Sequence, residues 1–169
     1  MTSRKRLLLA ALAVLLAAGI FLVVFILTRG GDSPACPTCG GEMTVQAFFL
    51  NDQKDPEITC VKVFPLARTI PKTEGVARAA LELLFAGPTA EERAAGWSTA
   101  IPDGVSIRSL TIAEGVARAE LSEELERGVG GSCRVGAIRA EITATLKQFP
   151  TVREVVLSIN GRTEDILQP

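Results

Sequence analysis

The sequence contains no histidine and no tyrosine among its 169 residues, and aromatic side chains make up only 5% of it. Histidine is the side chain that most often serves as a general base and is also a common metal ligand, so its absence leaves carboxylates, hydroxyls and thiols for any catalysis. An excess of charge of one sign is also missing, since 18 basic and 19 acidic residues leave a net charge of −1. Without a basic field we expect no nucleic-acid partner.

The residues that remain form no recognisable catalytic arrangement. The serines have no histidine to activate them. Gly128 to Ser132 precede a predicted helix, whose free amides could bind an anion, but neither a Walker lysine nor the dinucleotide fingerprint accompanies them. The acidic cluster Glu123, Glu124 and Glu126 lacks the alternating oxygen ligands of a calcium loop, and we interpret it as a solvated face. We therefore expect a protein that is not an enzyme and has no metal or cofactor.

Long apolar runs are rare in soluble domains, and this chain begins with one. Leu7 to Leu27 is an unbroken apolar segment of 21 residues, preceded by Arg4, Lys5 and Arg6. At about 1.5 Å per residue such a helix spans the roughly 30 Å hydrocarbon core of a bilayer. The pattern predicts a cytoplasmic stub at residues 1–6, a transmembrane anchor at 7–28 and an extracytoplasmic remainder, because the basic flank stays inside. A cleaved signal peptide and a lipoprotein acylated at Cys36 are the alternatives.

Residues 29–43 are rich in glycine and proline and are predicted to be a linker. The linker contains Cys36-Pro37-Thr38-Cys39, a spacing found in zinc sites and in redox dithiols. A structural zinc site needs four ligands, and Cys60 and Cys133 are unsuitably spaced to supply the other two. A redox dithiol normally precedes a helix, whereas Gly40 and Gly41 follow this pair. A local disulfide or free thiols in a linker is the simpler interpretation.

Residues 44–169 predict one α/β (α+β) domain, in which a small mixed sheet carries two main helices on one face. The first predicted helix spans 73–86 with Thr73 as its cap, and the second spans 132–148 with Ser132 as its cap. Val135, Ile138, Ile142 and Leu146 recur at helical spacing in the second helix, with Arg134, Arg139, Glu141 and Lys147 mostly on other faces. Thr89 and Glu92 form a capping box that starts a short helix between the two main helices.

The predicted strands are 45–50, 60–64, 105–112, 116–121 and 152–159. A phase shift between Ile107 and Leu110 predicts a β-bulge, and Glu114-Gly115 predicts the turn of a hairpin. Val152 to Ile159 is apolar on both faces, which is typical of an interior strand. Polar residues such as Arg118, Glu120 and Ser158 alternate along the strands, which predicts an uncovered sheet face.

These segments resemble one family, the GerMN domain. The resemblance rests on Arg68-Thr69-Ile70-Pro71-Lys72-Thr73, Gly87-Pro88-Thr89-Ala90-Glu91-Glu92, Ile101 to Val105, Ser132 to Val135, Lys147 to Pro150 and Val155 to Gly161. It implies a ring-building-motif-like fold at residues 44–169. It also implies a non-enzymatic role in sporulation or germination, or at the cell envelope, through contact with other envelope proteins or with itself. The family's usual lipobox is absent, and one domain copy is present.

The functional hypothesis is a single-pass membrane protein whose extracytoplasmic domain acts by protein–protein interaction or self-assembly. The alternatives are a thiol oxidoreductase that uses Cys36 and Cys39, and a module that binds cell wall or a small ligand. Since the predicted topology places the domain in an oxidising compartment, we expect Cys60 and Cys133, the two cysteines in ordered segments, to be bonded to each other. Pairings of either one with the linker cysteines are the competing possibility.

Overall fold

The computed structural model describes residues 41–168, which form a mixed α+β fold. Along the chain its elements are β1 (Glu42–Asn51), β2 (Phe64–Pro71), α1 (Val76–Ala86), α2 (Ala90–Ala94), β3 (Trp97–Ser98), β4 (Ile107–Ala113), β5 (Val116–Leu121), a 3₁₀ helix (Glu123–Glu126), α3 (Ser132–Lys147) and β6 (Glu154–Ile159). No helix among these residues is long and apolar enough to cross a bilayer. The predicted stub, anchor and CxxC pair lie outside the described residues.

The strands form two three-stranded sheets, so the prediction of one small sheet was wrong. The first sheet has the order β2-β1-β3 and is antiparallel. The second has the order β4-β5-β6, in which β5 pairs antiparallel with β4 and parallel with β6. Helices α1 and α3 contact each other, and each contacts a strand of both sheets. The helices therefore do not share one face of a single sheet, as the sequence predicted, but join the two sheets into one core.

Both main helices are present, but neither begins with the predicted cap. Helix α1 starts at Val76 after Gly75, and the Thr73 hydroxyl accepts a bond from the Gly75 amide one step before the helix. Helix α3 starts at Ser132, and Gly131, with φ of 82°, takes the capping position without a side-chain bond. The Thr89–Glu92 capping box of α2 is confirmed, with both reciprocal bonds formed.

Two strand predictions need correction. The second strand begins at Phe64, so Cys60 to Val63 belong to a loop and not to the strand. Strand β6 lies at the edge of its sheet, not in the interior. Its inner residues Leu157 and Ile159 are buried by the core, while Val155 and Val156 are only half-buried. The strand is apolar because the helices and the neighbouring strand pack against it. Its sequence pattern alone could not distinguish that packing from pairing with a strand on both edges.

The hairpin β4–β5 follows the sequence prediction. The register shifts between Ile107 and Ser109, as expected for a bulge. Glu114 (φ 54°) and Gly115 (φ 86°) form the two-residue turn, and positive φ at both positions is the condition for a type I′ hairpin turn.

A polar stripe on α3 supplies partners for the part of β1 that β3 leaves unpaired, since β3 pairs only with Leu50 and Asn51. The Thr145 hydroxyl accepts a bond from the Phe48 amide at 3.1 Å, and the Gln148 side chain both accepts from the Gln46 amide and donates to its carbonyl. Glu141 lies one turn earlier and is fully buried, with an exposed fraction of 0%. The prediction that Glu141 lies away from the buried face was therefore wrong. The stripe does for β1 what a neighbouring strand would do, because buried backbone groups must find partners.

Candidate interaction surface

A twelve-residue loop after β1 is held against the start of α3 by a disulfide. Residues 52–63 leave the sheet and return to it at Phe64, and Cys60 within them is bonded to Cys133 in the first turn of α3. The two Cα atoms lie 5.2 Å apart across a sequence separation of 73 residues. This is the pair expected from the sequence, although Cys60 stands in a loop. The bond ties the middle of an irregular segment to the longest helix described.

The loop is also ordered by its own side chains. The Asn51 side chain accepts bonds from the amides of Gln53 and Lys54 and so fixes the first turn. Asp55 accepts from both the amide and the hydroxyl of Thr59 at 2.8 Å. The Thr59 hydroxyl bond is the main reason that the pKa of Asp55 is lowered, so the carboxylate stays ionised. These local bonds make the loop a defined surface and not a random connection.

Two apolar side chains project from this ordered loop. Ile58 is 71% exposed and Val61 is 57% exposed, and they are two of the three large apolar residues exposed in the described part of the chain. Ile58 and Cys60 have positive φ values, which non-glycine residues rarely adopt. A methyl group added at Gly136 of α3 would lie 3.0 Å from Val61 Cγ1, so the glycine allows the loop to lie close to the helix. The protein thus presents apolar side chains on a constrained backbone.

A cluster of lysine and aromatic side chains borders the loop. The Lys54 ammonium lies 4.6 Å from the centre of the Trp97 ring and 5.6 Å from that of Phe64, and Lys62 lies 5.7 Å from Phe64. Such cation–π contacts hold the lysine stems against apolar surface. Trp97 is half-buried and packs against the core, as the sequence predicted.

A cleft of about 480 Å³ opens between the loop and the start of α3. Its walls are the loop residues Asp55, Ile58 and Lys62, the disulfide, and the glycines that precede α3. Arg134 closes one side, with its guanidinium donating to the carbonyls of Ala100 and Gly128. The cleft is large enough to receive an apolar side chain of a partner or a small molecule.

Glu141 supports the segment that forms the wall of this cleft. Its Oε2 accepts from the Thr99 hydroxyl at 2.9 Å and from the Ala100 amide at 3.3 Å, and Ala100 lines the cleft. Burial raises the pKa of Glu141 to about 8, and the bonds from Thr99 and the nearby amides only partly oppose that shift. The carboxyl group is therefore protonated at neutral pH. Helical periodicity alone had placed this residue on another face.

The other segments singled out in the sequence form no site. In the 3₁₀ helix, Glu126 bonds the Arg162 guanidinium and the Leu167 amide, and Glu124 bonds Arg127. Glu126 therefore anchors the C-terminal tail, whereas Glu123 is exposed, so the interpretation as a solvated face holds only in part. No group of three potential metal ligands occurs within residues 41–168. Cys36 and Cys39 fall outside this range.

The described domain is an α+β module with a disulfide-anchored loop as its most distinctive surface. The family model Germane, described as sporulation and spore germination, matches residues 46–165. The chain therefore belongs to this family, that of the GerMN domain.

Solved structures agree with this assignment. The tandem GerMN domains of the sporulation protein GerM from Bacillus subtilis are 25% identical, with a TM-score of 0.58 over 73% of this chain. That match covers 41% of the tandem structure, so this chain spans about two fifths of its length. The first GerMN domain of the same protein is 26% identical over 72% of this chain and 85% of its own, with a TM-score of 0.53. No curated protein matches significantly.

A third structure shares the fold. It is a putative lipoprotein from Clostridium perfringens, 18% identical over 76% of this chain and 81% of its own, with a TM-score of 0.51. This level of identity shows the fold alone.

Proposed function

We propose that this protein is a membrane-anchored, non-enzymatic GerMN-domain protein that acts at the cell envelope by binding another protein or itself. Residues 7–28 would anchor it with the N-terminus in the cytoplasm, and the domain would act outside the membrane. The observation that carries the proposal is the exposed, disulfide-anchored pair Ile58 and Val61. Apolar side chains on a rigid backbone lose little conformational freedom on binding, which favours a docking role.

Site-specific photocrosslinking tests this function. The full-length protein would carry a photoreactive residue at Ile58 or, as the control, at the exposed Glu164. We expect a discrete crosslinked product from position 58 that is absent from position 164 and is lost when Val61→Asp is added. Equal products at both positions, or none in intact cells under conditions in which the protein is needed, would contradict the proposal.

Because the matching family is described as sporulation and spore germination, the process in which this protein would act is sporulation or germination. Deletion of the coding sequence should then impair the formation or the outgrowth of spores, and a copy with Ile58→Asp should fail to restore it. In an organism that makes no spores, the same variant should instead show an envelope defect. A copy with Ile58→Asp that restores wild-type behaviour in both settings would argue against the loop as the working surface.

The cleft of about 480 Å³ favours a second candidate, a module that binds cell wall or a small ligand. Sedimentation with purified peptidoglycan distinguishes it, since a protein-only binder stays in the supernatant. The remaining alternative, a thiol oxidoreductase using Cys36 and Cys39, predicts insulin reduction by the protein that is lost in Cys36→Ser. The docking proposal predicts no such reduction.

A further inference from the structure

We propose that two copies of this chain pair through the free edges of their β4 strands, which makes one continuous six-stranded sheet. This inference rests on the proposed function and names a second copy as a partner. It concerns a surface distinct from the loop at residues 52–63.

Strand β4 has an edge without a strand partner at Leu110 and Ile112. It pairs only with β5, and no described strand lies on its other side. Ala113 and Val116 flank a two-residue turn and are a hydrogen-bonded pair, and bonding alternates from there along an antiparallel ladder. Leu110 and Ile112 therefore direct their N–H and C=O groups away from β5. The edge strand β2 differs, because Pro65 and Pro71 lie in it and lack the N–H group that an added strand would need.

The same edge carries apolar side chains that a second strand would cover. Ile112 is 38% exposed, and Leu110 is half-buried. Both border a cavity of about 330 Å³ that the start of α1 and Phe149 complete. A strand added beside β4 would bury Ile112 at the mouth of this cavity. Removing this apolar surface from water would favour association.

Charge is arranged along the edge so that it complements itself in the antiparallel direction. Arg108 stands at the bulge end, close to Glu120 and Glu124 of its own copy. Serine hydroxyls that bond these two carboxyl groups, and after them the charge of Arg108, lower the pKa of both. The Arg78 guanidinium at the same end donates to the Ile107 carbonyl and pairs with Glu82. Glu114 stands in the turn at the other end, and Glu74 borders the cavity beside Ile112. An antiparallel second copy brings Arg108 of one strand to Glu114 of the other, twice per dimer.

Hydrogen bonding and charge together select one register. With Thr111 on the two-fold axis, Leu110 of each copy lies opposite Ile112 of the other, and both have backbone groups directed outward. The same register brings Arg108 of one copy to the turn at Glu114 of the other. The partner patch is the same on both copies, as a two-fold interface requires. Arg153 does not disturb this match, because it lies against Gly115 on the β6 side of the turn.

The register makes a geometric prediction. Thr111 pairs with its counterpart as a non-hydrogen-bonded pair, for which the Cα atoms are about 4.5 Å apart, within the range of a disulfide. Ser109 lies on the same outer face of the same strand, two residues away, and is likewise exposed. It would lie opposite Ala113, which places the two copies of Ser109 about 13 Å apart at roughly 3.3 Å per residue, too far for a bond.

The experiment uses the full-length protein in membranes, with Cys36→Ser and Cys39→Ser to remove other free thiols. After mild oxidation, Thr111→Cys should give a disulfide-linked dimer that a reducing agent converts back to monomer. Ser109→Cys should stay monomeric at the same expression level. Equal crosslinking of both variants, or a monomeric Thr111→Cys, would overturn the proposal. The photocrosslinked product from Ile58 would be unaffected by that failure, so the docking function is judged separately.

A charge exchange supplies a second readout on the Thr111→Cys background. Glu114→Arg should remove most of the dimer because it puts like charges together at both ends. Adding Arg108→Glu should restore it, since the exchanged pair is again complementary. If Glu114→Arg leaves the dimer intact, or the double variant fails to recover it, the proposed register is wrong.

Discussion

Replacing Glu141 by glutamine should remove a loss of stability that grows as the pH rises. The carboxyl group is buried within α3 with a pKa of about 8, against 4.5 for an ordinary glutamate. In the native state it therefore holds its proton across this interval, while in the unfolded state it gives the proton up. The native state binds more protons, so stability is fully present below about pH 4.5 and is lost as the pH rises towards 8.

The magnitude follows from the displacement of the pKa. Each unit corresponds to about 1.4 kcal/mol, so ionisation of Glu141 in the unfolded state lowers the free energy of unfolding by about 3 kcal/mol at pH 7. At pH 8 the loss is about 4 kcal/mol, because the native carboxyl group is then half-ionised as well. Glutamine has the shape of the protonated acid and keeps an acceptor for the Thr99 hydroxyl and the Ala100 amide. Its NH₂ group takes the place of Oε1, which is buried without a hydrogen-bond partner, so the variant carries a cost that does not depend on pH. It carries no charge to desolvate, so this loss is absent in the variant.

Urea unfolding measures the difference, with the fluorescence of Trp97, the only tryptophan, as the signal. The free energy of unfolding of Glu141→Gln relative to wild type should rise by about 3.5 kcal/mol between pH 5 and pH 8. Other titrating groups are common to both proteins and cancel. Glu82→Gln, at an exposed position of α1, serves as the control and should follow the wild-type profile. Parallel profiles for Glu141→Gln and wild type would refute the reasoning.

Three further predictions concern the disulfide, the polar stripe and the anchor. The double variant Cys60→Ser, Cys133→Ser should lose about 4 kcal/mol of unfolding free energy by the chain-entropy estimate for so long a loop. Peptide mapping of the wild-type protein without reduction should recover Cys60 and Cys133 in one linked peptide. Thr145→Val should cost about 1–3 kcal/mol in urea unfolding because the Phe48 amide loses its acceptor, while Thr145→Ser should cost less. Mass spectrometry of the membrane-extracted protein should find residues 7–28 intact, and a mature chain beginning at Cys36 would contradict the anchor.

The sequence alone determined the features that depend on neighbouring residues. Helical spacing located α3, the capping box located the start of α2, and the phase shift with Glu114-Gly115 located the bulge and turn of the β4–β5 hairpin. Each of these signals is local, since a cap, a turn or a helical face is set by residues within a few positions. The pairing of Cys60 with Cys133 was expected from a predicted topology and from a strand at Cys60; the bond is present, although Cys60 lies in a loop.

Only the tertiary structure decided how these elements face one another. Helical periodicity identified an apolar stripe on α3, but the packing of β1 against its other side turned Glu141 and Thr145 into buried bonding groups. The apolar run of β6 likewise could not show that, within residues 41–168, this strand lies at the edge of its sheet. Strand pairing and the division into two sheets join residues that are far apart in the chain. The pairing uses backbone groups that nearly every residue has, so the sequence does not reveal which strands are partners.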